Sequence, residues 1–159
     1  MVVTVWVAVI SDTHGVLRPE VKECLKGCDC IFHAGDFDDE ETLKSLKAYA
    51  PLYGVRGNND AMPELPPVRR FKIEGLNFLM VHRRIDVPKN VTDVDMVIFG
   101  HSHRYFCQYD GGVLWLNPGS CGRRRFGLEL SFVMLRLEGR TFDVEKKVIV
   151  GAHREFRLR

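Results

Sequence analysis

The chain opens on an apolar run, Met1 to Ile10, rich in β-branched residues, that stops at the polar, turn-forming Ser11-Asp12-Thr13-His14-Gly15. With almost no polar position inside it, Val3 to Ile10 reads as a central strand ending in a loop. Helical spacing follows: Pro19 lies in a first turn, Val21, Cys24, Leu25 and Cys28 share one face, and Gly27 marks the stop. A short strand, Ile31 to His33, leads to Gly35-Asp36. Asp38 with Glu41 three residues later predicts a helix cap, and Leu43, Leu46 and Ala50 line the face of that helix before Pro51. Leu52 to Val55 is a third strand, delivering Gly57-Asn58-Asn59-Asp60.

In the second half, Pro63, Pro66 and Pro67 exclude a helix interior between Met62 and Pro67. Phe71 to Ile73 and Leu76 to Val81 form a predicted hairpin turning at Glu74-Gly75 and ending at His82. Met96 to Phe99 runs into Gly100-His101-Ser102-His103. Tyr105 to Asp110 and Val113 to Leu116 turn at Gly111-Gly112, and the long segments Leu128 to Leu137 and Thr141 to Val150 join at Glu138-Gly139. Helices alternate with strands early and strands dominate late. That order predicts an α/β (α+β) sandwich of two packed sheets, the first mainly parallel, with helices outside.

Composition narrows the class without naming a function. The 159 residues, 45% apolar and 28% charged, make one domain spanning 1–159, with no repeat or linker. A net charge of +2 argues neither for nucleic acid nor for an anionic membrane. The apolar start has no basic flank or cleavage site and is too short to span a bilayer, so no membrane association is expected. Cys24, Cys28, Cys30, Cys107 and Cys121 are odd in number and form no paired framework, which points to the cytoplasm. The Cys24-Cys28-Cys30 group lacks the CxxC unit of a thiolate zinc site and reads as small buried hydrophobes.

The candidate chemistry lies where the strands stop. In a sheet of this kind ligands sit beyond the carboxyl ends of the strands, and Asp12, His14, Asp36, Asn58, His82, His101 and His103 all fall there. Each alone would pass for turn chemistry. Four of the six histidines share this registration, however, while His33 reads as a core or supporting residue and His153 as solvated. Oxygen ligands mixed with imidazoles suit manganese, with nickel, zinc, iron or cobalt as alternatives. Seven ligands exceed the needs of one ion, and two ions would account for them.

The series Asp12-x-His14, Gly35-Asp36, Gly57-Asn58-x-Asp60, His82 and Gly100-His101-x-His103 resembles the calcineurin-like metallophosphoesterase superfamily, in its small bacterial and archaeal phosphodiesterase branch. Asn117-Pro118-Gly119-Ser120 resembles a turn of that branch, and the late hairpin strands fit its second sheet. The resemblance implies a four-layer fold and a cytoplasmic hydrolase of small phosphodiesters. It implies one ion on Asp12, His14, Asp36 and His103 and a second on Asp36, Asn58, His82 and His101, with Asp36 as the bridge and a shared hydroxide as nucleophile.

The chain departs from the family's pattern at two places. His82-Arg83-Arg84 stands where many relatives read His-Gly-His, and Asn59 stands where the better-known phosphatases have histidine. Asp60 and Arg84 remain as candidates for assisting the leaving group. Phosphomonoester or nucleic-acid hydrolysis on the same site are the alternatives, as is a non-catalytic scaffold like the retromer small subunit, which shares the fold. Arg83, Arg84, Arg104 and Arg123-Arg124-Arg125 would favour an anionic substrate, and a homo-oligomer is compatible with the sequence.

Overall fold

In the computed structural model, which describes residues 3–125 and 127–150, the opening apolar run becomes β1 (Thr4–Ile10). It is followed by α1 (Pro19–Leu25), β2 (Cys30–His33), α2 (Glu40–Lys47) and β3 (Leu52–Gly54). The antiparallel hairpin β4 (Val68–Ile73) and β5 (Leu76–Val81) comes next, then β6 (Met96–Ile98), β7 (Phe106–Asp110), β8 (Val113–Asn117), β9 (Ser131–Glu138) and β10 (Thr141–Val148). These make two five-stranded mixed sheets, ordered β10-β9-β1-β2-β3 and β4-β5-β6-β8-β7. The sandwich expected from the sequence is the observed fold, but its first sheet is mixed rather than mainly parallel: β1-β2 and β2-β3 are parallel, and β9-β1 and β10-β9 are antiparallel.

Alternation along β1 explains why it reads as a nearly unbroken apolar run. Val7 and Val9 enter the core between the sheets, while Ala8 and Ile10 face Val21 and Leu25 of α1 and Leu43 and Leu46 of α2. A strand buried on both faces has no position left for a polar residue. Between the sheets, Phe32 of β2 packs edge-on against Phe71 at 4.9 Å and Phe78 at 5.0 Å, joining one sheet to the other.

Three expectations need correction. The hairpin β7–β8 joins the second sheet, but β9 and β10 extend the first, with β9 antiparallel to β1 from Thr4↔Glu138 to Val9↔Val133. Val133, Leu135 and Leu137 line the inter-sheet core beside Val7 and Val9, a pairing set by long-range burial that local pattern does not encode. Second, α2 is capped by Asp39, whose side chain accepts from the Thr42 N–H, and not by Asp38. Third, both α-helices of the described residues pack on the first sheet; the segment between β5 and β6 forms only a 3₁₀ turn, Arg84–Asp86. The cysteines divide as small hydrophobes would: Cys30 enters the inter-sheet core, and Cys24 and Cys28 pack under the helices.

Replacing Phe32 by alanine should cost about 3–5 kcal/mol of stability, because the ring is fully buried in the only aromatic cluster that spans the two sheets among the described residues. A urea unfolding midpoint within error of the parent chain's would refute this role for the cluster.

Candidate metal centre

The parallel trios β1-β2-β3 and β5-β6-β8 end on one rim of the sandwich. Beyond β1 and β2 the chain stays zipped: the Asp12, His14 and Gly15 N–H groups donate to the carbonyls of Gly35, Asp36 and Phe37 at 2.9–3.0 Å. This ladder carries residues in the left-handed region, with φ of 54° at Asp12, 47° at His14 and 65° at Asp36. The loop after β6 repeats the device, with φ of 72° at His101 and 62° at His103. Left-handed backbone costs a non-glycine residue about 1–3 kcal/mol, a strain that recurs at functional sites where the surroundings enforce it.

The resulting centre is compact and mostly buried. Asp12 Oδ2 accepts from Ser11 Oγ at 2.5 Å and from the His101 N–H at 3.1 Å, so its other oxygen is left over. That Oδ1 lies 3.4 Å from His103 Nε2, 3.7 Å from His14 Nε2 and 3.9 Å from His82 Nε2. Asp36 Oδ1 accepts from the Asn59 N–H, while its Oδ2 stands between His82 Nε2 at 3.2 Å and His14 Nε2 at 3.7 Å. The histidine rings are aimed by their far nitrogens: His82 Nδ1 donates to the Ala34 carbonyl at 2.7 Å, and His14 Nδ1 lies 3.0 Å from the Asp38 carboxylate. Such partners fix the tautomer and turn Nε2 inward.

Close backbone approach completes the packing. A Cβ on Gly100 would run into Ser11 Oγ and Asp12 Oδ2, and one on Gly57 into the Asp36 amide and carboxylate. Asn117 holds the loop after β6 from below, donating to the Gly100 carbonyl and to Ser102 Oγ.

This donor set fits divalent cations. Asp12 Oδ1 and His82 Nε2 are buried with no hydrogen-bond partner among the described residues, a costly state unless a cation completes it. The ligand atoms of Asp12, His14 and His103 gather within 4.8 Å of one another, and so do those of Asp36, His82 and His101. Asn58 lines a cavity of about 220 Å³ with His82 and Arg83. Thiols take no part in these groups.

The charges of the cluster compensate one another. Burial pushes the Asp12 carboxyl up, but His103, His82 and Ser11 outweigh it and hold it below the usual range. Asp36 is likewise held down by His82 and Asn59 against burial, and the two carboxylates raise His82 against its own burial.

Of the remaining predicted residues, Asp60 has a supporting position. Its carboxylate accepts the N–H groups of Asp36, Asp38 and Gly57, which occupies it fully. Of the acidic group Asp36-Asp38-Asp60, Asp60 is thus held by backbone N–H groups and Asp38 faces His14. Arg84 lies over the rings of Phe106 at 4.9 Å, Trp115 at 5.0 Å and Phe99 at 5.5 Å. Arg83 pairs with Asp86, Arg123 donates to the His14 carbonyl and Arg124 to that of Gly127. His33 is fully buried, stacked on Phe37 and bonded to Thr13 Oγ1, as its strand position suggested. His153 lies outside the described residues. Ser11, Asp38 and Asn117 were not foreseen at the centre: Asp38 reads as a helix cap in the sequence, and the Asn117-Pro118-Gly119-Ser120 turn was the one visible signal.

Residues 6–140 match the calcineurin-like phosphoesterase superfamily domain. A probable metallophosphoesterase from Methanothermobacter thermautotrophicus is 32% identical over 156 residues, 87% of this chain and 90% of the relative. Among solved structures, Vps29 from Entamoeba histolytica superposes with a TM-score of 0.79 at 24% identity, covering 92% of this chain and 94% of that one. An archaeal phosphodiesterase described as novel superposes at 0.73 and 21% identity, covering 91% and 99%.

Burial pushes the His33 imidazole down to about 3, and its Nδ1 must be unprotonated because it accepts the Gly35 N–H at 3.0 Å. The unfolded ring takes up a proton near pH 6.5 while the folded ring does not, so His33 makes stability fall as pH drops from 6.5 towards 3. The ring nitrogen shifts should stay those of a neutral Nε2–H imidazole from pH 8 to pH 5. Titration near pH 6.5 in the folded protein would contradict this assignment.

Proposed function

The chain belongs to the calcineurin-like phosphoesterase superfamily, and on that premise we propose that it is a metal-dependent hydrolase of small phosphodiesters. Asp12, His14, Asp36 and His103 would hold one divalent ion, and Asp36, Asn58, His82 and His101 a second, with Asp36 shared. The observation that carries this reading is the pair of ligand groups set around Asp12 Oδ1 and His82 Nε2, two buried atoms without partners. Asp36 suits the shared position because its Oδ2 faces His82 of one group and His14 of the other. When bound, such ions acidify a water and set positive charge against the phosphoryl oxygens. Manganese leads as the native metal, with nickel, zinc, iron or cobalt suited by the same nitrogen and oxygen donors.

The chain's own residues then orient and surround the ester. Asp38 and the Ala34 carbonyl keep the inward nitrogens of His14 and His82 aimed. Asp60 pins the backbone of Asp36, Asp38 and Gly57, so it serves as a positioning residue. Arg84 can steady a departing oxygen only as a cation. The phosphodiester reading draws support from the fold shared with the archaeal phosphodiesterase and from the arginines at the rim. Among the described residues no helix is long and apolar enough to cross a membrane. The five unpaired thiols favour a reducing compartment.

Asp36→Asn should keep its fold, because an amide oxygen can still accept from Asn59, yet lose at least one bound ion per chain and nearly all turnover. Parent-level metal by elemental analysis together with parent-level turnover would rule out the shared ligand.

With no imidazole among the described residues placed to protonate the departing oxygen, the aid that general acids provide, about 10²–10⁴-fold, is missing. Activated aryl diesters should therefore be cleaved far faster than alkyl diesters, giving a steep negative slope of log rate against leaving-group pKa. A flat line under conditions where chemistry limits the rate would require a proton donor elsewhere in the site.

A further inference from the structure

Next to the exposed ligand His101 lies a cavity of about 570 Å³ that the proposed metal chemistry does not use. Its apolar walls are Phe99, Tyr105, Phe106 and Ile85, and Arg83, Arg84 and Arg104 stand at its rim. The volume falls within the range of small-molecule sites, about 300–1,000 Å³, which combine apolar walls with a few placed polar groups.

Arg84 gives the cavity its character. Its guanidinium lies over three aromatic rings, Phe99, Phe106 and Trp115, with centroids 4.9–5.5 Å away, and among the described residues it makes no ion pair. A flexible cation is thus held among aromatic rings without being neutralised. Guanidinium planes and aromatic faces stack well on planar rings, and the charge favours an anionic ligand. Ile85, 83% exposed on the rim, is a large apolar side chain with no packing task. His101 and Gly100 belong both to this cavity and to the loop that carries the metal ligands, so a molecule with its phosphate on the metals would extend its organic arm here.

We propose that this cavity is a subsite for a planar ring on the ester's organic arm, so that the preferred substrates are phosphodiesters bearing a nucleobase or an aryl group. The inference rests on the hydrolase reading for the location of the phosphate, whereas the ring subsite can be tested without turnover. The charged rim and the apolar walls each have a task in it: the arginines draw in the anion, and Phe106, Tyr105 and the Arg84 guanidinium receive the ring.

The test compares ligands that share a phosphate and differ in the ring: thymidine 5′-monophosphate, phenyl phosphate, 2-deoxyribose 5-phosphate and inorganic phosphate. As inhibitors of aryl diester hydrolysis by the metal-loaded protein, thymidine 5′-monophosphate should bind about ten-fold more tightly than 2-deoxyribose 5-phosphate, the range expected when a base stacks on an aromatic surface. Phenyl phosphate separates the sources: affinity near that of the nucleotide assigns the gain to the ring alone, and affinity near that of the sugar phosphate assigns it to a nucleobase. Phe106→Ala, and Ile85→Glu at the exposed rim where folding is not at risk, should each bring the nucleotide down to the level of the sugar phosphate.

In parallel, nitrogen–proton spectra of the protein should show the Trp115 indole N–H shifting with thymidine 5′-monophosphate and not with inorganic phosphate. Equal affinities for nucleotide and sugar phosphate, with no Trp115 shift, would overturn the subsite while leaving the hydrolase reading intact. A ring-dependent Trp115 shift in a protein that hydrolyses no ester with any metal would uphold the subsite and sink the hydrolase reading.

Discussion

The two sheets are tied together at one end by polar bonds that are also the framework of the site. His82 at the end of β5 donates across the sandwich to the Ala34 carbonyl beyond β2, and the His101 N–H beyond β6 donates to Asp12 Oδ2 beyond β1. Both bonds lie in or against buried surroundings, where an amide or imidazole N–H left unpaired would cost about 1–3 kcal/mol. The aromatic cluster around Phe32 holds the middle of the sandwich, but these crossings set the relative position of the loops. The inward nitrogens and carboxylate oxygens converge because the sheets cannot slide past one another without breaking them.

This closure brings groups together that would not choose one another's company. Five of the seven proposed ligands adopt left-handed backbone, and Asp12 and Asp36 share a buried space with three imidazoles. The zipper between the loops after β1 and β2, the three N–H groups gathered by Asp60 and the grip of Asn117 on the loop after β6 offset that strain locally. Stability is thus spent on placing charge, a trade common at functional sites. Gly57 and Gly100 belong to the same arrangement: each lets another backbone or carboxylate approach where any side chain would stand.

Beyond the ligands, the site is shaped by what the chain lacks as well as by what it has. Only the turn Arg84–Asp86 and a short loop separate β5 from β6, so the flank beside His101 remains open and bordered by arginine and aromatic side chains. The same stretch puts the Arg84 guanidinium, set among aromatic rings, at the mouth of a cavity.

How much could be foreseen follows from the range over which each feature acts. The strands, the α1 start at Pro19, the Glu74-Gly75 hairpin and the placing of Asp, Asn and His just after apolar runs were legible, because burial and turn preference act over a few residues. The residue types that gather at the centre were legible too, since position at a strand end is a local property. Tertiary structure alone decided that β9 and β10 join the first sheet, that Asp38 turns to His14 rather than capping α2, and that Asp60 is consumed by backbone N–H groups. It also decided that Arg84 comes to rest among Phe99, Phe106 and Trp115, which are contributed by the second sheet and the loop beyond β6. These outcomes depend on partners 15 to more than 100 residues away, and a side chain able to cap, ligate or stack is assigned among those roles only when packing brings one partner within reach.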